Sequence, residues 1–235
     1  MMIKSLCIIP ARGGSKRVPR KNILPLNGIP LISHTIRAAK DANVFTDIIV
    51  STEDPEISEV ALDEGVMVDH RPEAMCLDTV TKVQVVKEYI ERTKAESKYD
   101  YVACMLPTCP FRKAEDVVQA YNQLVNQNDI NYLIGVTEYE FPMQLALEKT
   151  SEDKVRMLFP EKYKTTRSQD IPKRFHPNGS IYMATMDGFI KNGNFFNEEM
   201  LVHTMSPLRS FDIDYPWQFE IAEMVAKRNE KNEIE

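Results

Sequence analysis

Apolar residues in the first two-thirds of the chain follow two alternating rhythms. Short unbroken runs, Ile3 to Ile9, Ile48 to Ser51, Val66 to Asp69, Tyr101 to Leu106 and Tyr132 to Val136, have the length of buried strands. Between them, apolar positions recur every three or four residues, as on a helix that buries one face. Val83, Val86 and Ile90 mark one such helix, and Val117, Tyr121, Leu124 and Val125 another. This alternation predicts an α/β fold, with a mainly parallel sheet and crossover helices on both faces.

Boundary residues sharpen the pattern. Pro30 opens a first helix, Asp54 with Pro55 starts a second that Gly65 ends, and Asp78 is expected to cap a third. After Val136 the rhythm breaks. The stretch from about Glu138 to Asn178 is richer in charge and contains Pro142, Pro160, Pro172 and Pro177. It is expected to be an excursion, about 138–178, from a single domain spanning 1–235. Regular structure resumes with Ser180 to Ala184 and Leu201 to Thr204. Pro216 then opens a last helix, using Phe219, Ala222 and Val225. The charged tail from Lys227 to Glu235 is expected to be a solvated, fraying end.

Composition narrows the function. A chain of 235 residues with 43% hydrophobic and 27% charged residues can build an ordinary core without disulfides or a structural metal. The net charge of -6 argues against a broad nucleic-acid surface, because Lys and Arg supply most of that affinity. The first apolar run meets Pro10 and Arg12 too soon for a signal peptide or a membrane span, so a cytoplasmic protein is expected. Cys7, Cys76, Cys104 and Cys109 lack the close spacing of zinc or redox pairs and read as reduced thiols.

In open α/β sheets ligands bind beyond the carboxyl ends of the strands, so the loops there carry the candidate chemistry. The first loop, from Ala11 to Asn22, packs Arg12, Lys16, Arg17, Arg20 and Lys21 around Gly13, Gly14 and Ser15. Glycines let a backbone approach a ligand, successive N–H groups form an anion nest, and several cations suit a triphosphate. The spacing matches neither the P-loop nor the dinucleotide fingerprint. The second candidate is Asp212-Ile213-Asp214. In extended backbone its two carboxylates face one side, suited to magnesium, while Ile213 turns to the core. Thr52 to Asp54 read better as a helix cap than as a site.

These blocks resemble the acylneuraminate cytidylyltransferases, the CMP-sialic acid synthetase family. The similarity lies in Ile9 to Arg17 with Lys21-Asn22, in Arg71-Pro72, in Pro107-Thr108 with Pro110 and Arg112, in Pro177 to Tyr182, and in Asp212 to Asp214. The resemblance implies a Rossmann-like nucleotidyltransferase fold in which CTP and an acidic nine-carbon sugar give a CMP-sugar and pyrophosphate. It implies that Ala11, Arg12, Gly13, Gly14, Ser15, Lys16, Lys21, Asn22 and Arg71 bind the nucleotide. Asp212 and Asp214 would hold Mg2+, and Arg12, Lys16, Lys21 and Asp212 would carry catalysis. Family members also pair as homodimers through the excursion, which reaches the partner's site.

Departures from the family fall on the sugar side. Leu106 stands where many sialic acid enzymes have Gln, His176 where they have Arg, and Gln144 where they have Lys. With Arg174, these residues are expected to shape a pocket for a relative of neuraminate, such as the 9-deoxy sugars legionaminate or pseudaminate, whose terminal methyl suits Leu106. The rival readings are a Kdo cytidylyltransferase of the same fold and a non-catalytic nucleotide-binding regulator.

Overall fold

In chain order the strands are β1 (Ser5–Pro10), β2 (Pro25–Leu26), β3 (Ile29–Pro30), β4 (Asp47–Thr52), β5 (Met67–His70), β6 (Tyr101–Cys104), β7 (Tyr132–Glu138), β8 (Leu147–Ser151), β9 (Lys154–Met157), β10 (Phe175–Thr185) and β11 (Leu201–Thr204). The helices are α1 (Leu31–Ala42), α2 (Pro55–Asp63), α3 (Lys82–Thr93), α4 (Ala114–Val125), α5 (Pro160–Tyr163), α6 (Met186–Asn192) and α7 (Pro216–Glu230). The computed structural model describes residues 3–127 and 129–230.

Seven strands form one sheet in the order β11-β7-β10-β6-β1-β4-β5. Neighbours run parallel except β10, which is antiparallel to both β6 and β7. The mainly parallel sheet with helices on both faces is the architecture expected from the alternation. Period-two burial divides each central strand between two cores. Cys7 and Ile9 of β1 pack with Ile32 and Ile36 of α1, Ile57 of α2 and Val117 of α4. Leu6 and Ile8 point the other way, to Val86 and Ile90 of α3 and Phe189 of α6.

Chain order reverses at β1, which has β4 on one side and β6 on the other. That is the switch point at which such sheets open a crevice. A third, smaller cluster holds α7 against the β2–β3 hairpin through Leu26, Leu31, Ile213, Ala222 and Ala226.

Two expectations need correction. The third helix is capped by Thr81, whose Oγ1 accepts from Gln84 N at 3.3 Å while Gln84 Oε1 accepts from Thr81 N at 2.8 Å. Asp78 lies outside this helix, and its carboxylate is taken by Arg12 and Lys16. The capping box prevails because it satisfies two N–H groups at once. Lys227 and Arg228 are exposed but helical, since α7 runs on to Glu230; residues 231–235 of the expected tail lie outside the described residues.

Between β7 and β10 the chain leaves the sheet at residue 139 and returns at Phe175. This segment carries the β8–β9 ribbon, with both strands antiparallel and nearly all their residues exposed. In β10 the register shifts between Pro177 and Tyr182, and Gly179 takes φ +74 there. Asn178 Oδ1 accepts from Ser180 N at 3.0 Å and rests where Gly135 has no side chain, 2.7 Å from the position its Cβ would take. The bulge turns Gly179 toward the carboxyl ends of the neighbouring parallel strands.

Candidate active site

A cleft opens at the switch point. One wall is the loop after β1, with Arg12, Ser15, Lys16, Arg17, Lys21 and Asn22; the other is Leu106, Pro107 and Thr108 after β6, and Asp212 and Asp214 close it. The loop and the acidic pair are therefore brought together as the sequence predicts.

Side chains fasten the loop in place. Asn22 is buried and its Nδ2 donates to Arg12 O at 2.9 Å. Lys21 reaches across the cleft floor, donating to Ile213 O at 2.5 Å and to Asp214 Oδ1 at 3.1 Å. Arg20, in left-handed backbone at φ 57, pairs with Asp54 and Glu56. Asp54 also caps α2 through Ile57 N, as expected of Thr52 to Asp54.

The two glycines have different jobs. A Cβ on Gly13 would collide with the Asp54 carboxylate, whereas Gly14 meets nothing within 4 Å. Gly13 N donates to Glu53 Oε1 at 2.8 Å, so a carboxylate takes the N–H that an anion nest would offer. Neither glycine lines the cleft. Close backbone approach is needed at Gly13, toward Asp54 rather than toward a ligand.

Every cation of the loop already faces a carboxylate. Arg12 and Lys16 share Asp78, Arg17 and Lys21 share Asp214, and Arg20 has Asp54. Lys16 and Arg12 hold the Asp78 carboxyl below its usual range. Arg17 also stacks on Tyr215, 5.0 Å from the ring centroid.

Asp212 is the exception among the acids. Ile213 is fully buried and its N donates to Thr108 O at 2.9 Å, which fixes the flanking carboxylates toward the cleft. Asp212 Oδ1 is buried without a hydrogen-bond partner among the described residues. Burial raises the Asp212 carboxyl, and Asp214 pushes the same way; a hydrogen bond from Thr108 and the charges of Lys21 and Lys82 oppose them. A half-satisfied, desolvated carboxylate is suited to accept a proton or a cation. Asp214 does not cap α7. Gln218 Oε1 takes its backbone N–H, leaving the Asp214 carboxylate to Lys21 and Arg17.

The remaining expected residues lie apart from this cleft within one chain. Ala11 is buried behind it, with its N donating to Ser51 O at 3.0 Å. Arg71 is buried beside β4, donating to Ser51 O at 2.5 Å, and burial lowers its guanidinium. Gln144 is buried in the excursion, with Nε2 donating to Pro172 O at 2.9 Å. Arg174 lines a second hollow with Lys173 and Glu138, and His176 packs on Tyr139 with ring centroids 4.7 Å apart. Leu106 alone of the expected sugar residues borders the cleft.

Arg17, Thr108 and Asp78 also take part, beyond the residues expected to bind nucleotide, sugar or metal. Arg17 was legible as one more cation of the loop. Thr108 lies in the expected Pro107-Thr108 block, whereas Asp78, expected as a helix cap, shows its role only once distant loops meet.

Comparison with known proteins identifies the family. A family model described as cytidylyltransferase matches residues 6–233. The chain is 35% identical over 232 residues to a pseudaminic acid cytidylyltransferase of Campylobacter jejuni, covering 98% of this chain and 99% of that one. It is 30% identical over 235 residues to a CMP-N,N'-diacetyllegionaminic acid synthase of Legionella pneumophila, covering 97% and 99%. Among solved structures, a CMP:2-keto-3-deoxy-manno-octonic acid synthetase complexed with CTP superposes with TM-score 0.68 at 16% identity, over 96% of this chain and 99% of that one. The last likeness shows the shared fold. With the matched model spanning almost the whole chain and relatives aligned end to end, this protein belongs to the cytidylyltransferase family of nucleotidyltransferases, alongside the nonulosonic acid enzymes.

Proposed function

We propose that the protein transfers CMP from CTP to the anomeric hydroxyl of a nonulosonic acid, of the 9-deoxy kind exemplified by pseudaminic acid, and releases pyrophosphate. The observation that carries this reading is the position of Asp212. With one buried oxygen left unpartnered, it borders the same cleft as the cations of the β1 loop and Leu106.

Arg12, Ser15, Lys16 and Lys21 bind the triphosphate, and Asn22 keeps the loop backbone in shape from below. Asp212 and Asp214 are the two hard oxygen donors that would hold Mg2+, and the orphaned buried Oδ1 of Asp212 fits such an ion. When bound, magnesium would neutralise charge on the triphosphate and the departing pyrophosphate. No group of three or more His, Cys, Asp or Glu is clustered for metal binding among the described residues, so substrate oxygens would complete the shell.

In the reaction the sugar oxygen bonds to the α-phosphorus, the bond to the bridging oxygen of pyrophosphate breaks, and the hydroxyl proton passes to Asp212. The Asp212 carboxylate borders the cleft, within reach of a sugar hydroxyl bound there. Phosphoryl transfer asks mainly for positioning and charge neutralisation, which this cleft supplies. Leu106 gives the sugar an apolar contact where a hydroxyl would lose its hydrogen bonds, favouring a terminal methyl.

The protein acts as a homodimer in this reading. Phe141, Leu147, Val155 and Leu158 of the excursion are exposed apolar residues, an unusual concentration for a free surface. Pairing there would let Gln144, Arg174 and His176 serve a partner's cleft. A cytoplasmic location is supported by four free cysteines. No described helix is long and apolar enough to cross a membrane. The acidic balance gives no support to a nucleic-acid partner.

Pyrophosphate release from CTP and pseudaminic acid tests the proposal, comparing wild type with Asp212→Asn at saturating magnesium. Turnover in the wild type and a loss of about a hundredfold or more in the variant are expected. Undiminished turnover in the variant would remove Asp212 from the reaction.

A further inference from the structure

The cations of the β1 loop are all engaged, but a cation at the start of α3 is not. Lys82 begins α3, and its Nζ sits 4.1 Å from the ring centroid of Tyr182 on β10. Among the described residues it makes no ion pair with a carboxylate. A lysine held over an aromatic face keeps its charge while leaving its N–H groups available.

Its surroundings adjoin the cleft at Leu106 and Asp212. Tyr182, Leu106 and Val83 pack in the core on the α3 face of the sheet. A Cβ on Gly179 would stand 3.2 Å from Asp212 Oδ2 and 3.5 Å from Leu106 Cδ1. Lys82, Tyr182, Gly179, Leu106 and Asp212 thus form a continuous path.

A nonulosonic acid carries one formal charge, the C1 carboxylate, attached to the carbon that bears the reacting hydroxyl. That hydroxyl must come up to Asp212, so the substrate carboxylate arrives beside a second carboxylate. Two like charges so close need a cation. Two other cations, Arg174 and Lys173, line a separate hollow and would reach a cleft only across the proposed dimer, and Lys173 is already paired to Glu138 at 2.7 Å.

We infer that Lys82 binds the C1 carboxylate of the sugar acid and, by doing so, sets the substrate's orientation against Asp212. The inference rests on the proposed reaction and names the acid-recognising residue of the same site.

The test is steady-state kinetics of Lys82→Met and Lys82→Arg with pseudaminic acid and with its C1 carboxamide. Methionine keeps an apolar stem on the Tyr182 ring, and a thermal melt checks that the fold survives. For Lys82→Met the expected result is a rise of about ten- to a hundredfold in the KM for the acid and less than about twofold for CTP. Lys82→Arg should recover most of the loss, and the carboxamide should show no penalty. An unchanged KM for the acid would overturn the inference, and so would an equal rise for CTP or an equal penalty on the carboxamide. Calorimetry of the wild type separates the two levels. Binding of pseudaminic acid that Lys82→Met weakens, without turnover, would remove the proposed reaction and keep Lys82. Absence of binding would remove both.

Discussion

Arg12 donates to Asp78 at 2.5 Å, and the same carboxylate takes Lys16, so an acid from the loop before α3 occupies two cations that line the cleft. A triphosphate must displace it. Asp78→Asn should therefore tighten CTP binding, by about three- to tenfold, with the larger gain at low salt. Titration calorimetry at two ionic strengths checks this. Weaker binding would mean that Asp78 orders the loop for the nucleotide rather than competing with it.

Leu106 offers only carbon to the cleft. Leu106→Gln should move preference toward a sugar with a terminal hydroxyl, changing the ratio of kcat/KM values for pseudaminic and N-acetylneuraminic acids by about tenfold or more. Paired assays on the variant and wild type provide the check. An unchanged ratio would place the methyl-bearing end of the sugar elsewhere.

Glycine matters at one of the two loop positions. Gly13→Ala drives a methyl into Asp54, which both caps α2 and holds Arg20, and should cost about 1–3 kcal/mol in thermal unfolding. Gly14→Ala makes the same chemical change in open space and should stay within about 0.5 kcal/mol. Equal losses would show that backbone conformation, and not contact with Asp54, selects glycine.

Asp116 anchors the segment that leads to the acidic pair. Its carboxylate accepts from Arg209 at 2.7 Å, Lys113 N at 3.0 Å and His203 Nε2 at 3.2 Å. Burial pushes this carboxyl up, but His203, Lys113 N–H and Arg209 outweigh it, and the net shift is downward. A depressed carboxyl stabilises the fold above its unfolded value of about 3.9, and that stability is lost as pH falls through the lower folded value. Asp116→Asn should cost about 3 kcal/mol near neutrality and flatten the acid limb of the stability profile below about pH 4. Urea unfolding across pH checks both; a parallel profile would mean Asp116 carries no charge-dependent stability.

The sheet was legible because burial on both faces writes continuous apolar runs, and β1, β4, β6 and β7 lie within a few residues of their expected bounds. The β2–β3 hairpin carries its own local signal in Asn27-Gly28. Asn27 and Gly28 take φ 53 and 76, as a two-residue turn with positive angles requires. Thr81 with Gln84 was likewise a visible capping box, misread because Asp78 is the stronger single-residue cap.

In the site, the β1 loop and Asp212 to Asp214 were legible because each concentrates charge locally. Pairings such as Lys21 with Asp214, 193 residues apart, and the free position of Lys82 over Tyr182 depend on topology and leave no local trace. The excursion was recognisable only as a break in rhythm. Its β8–β9 ribbon lacks a buried face in one chain, so no period-two pattern marks it.

The most direct test of the account is the kcat/KM for CTP-dependent pyrophosphate release with pseudaminic, N-acetylneuraminic and 2-keto-3-deoxy-manno-octonic acids, measured side by side on the wild-type protein. The expected result is turnover of both nine-carbon acids, with pseudaminic acid favoured about tenfold or more and the eight-carbon acid far behind. Release with the eight-carbon acid alone, or with none of the three, would contradict it.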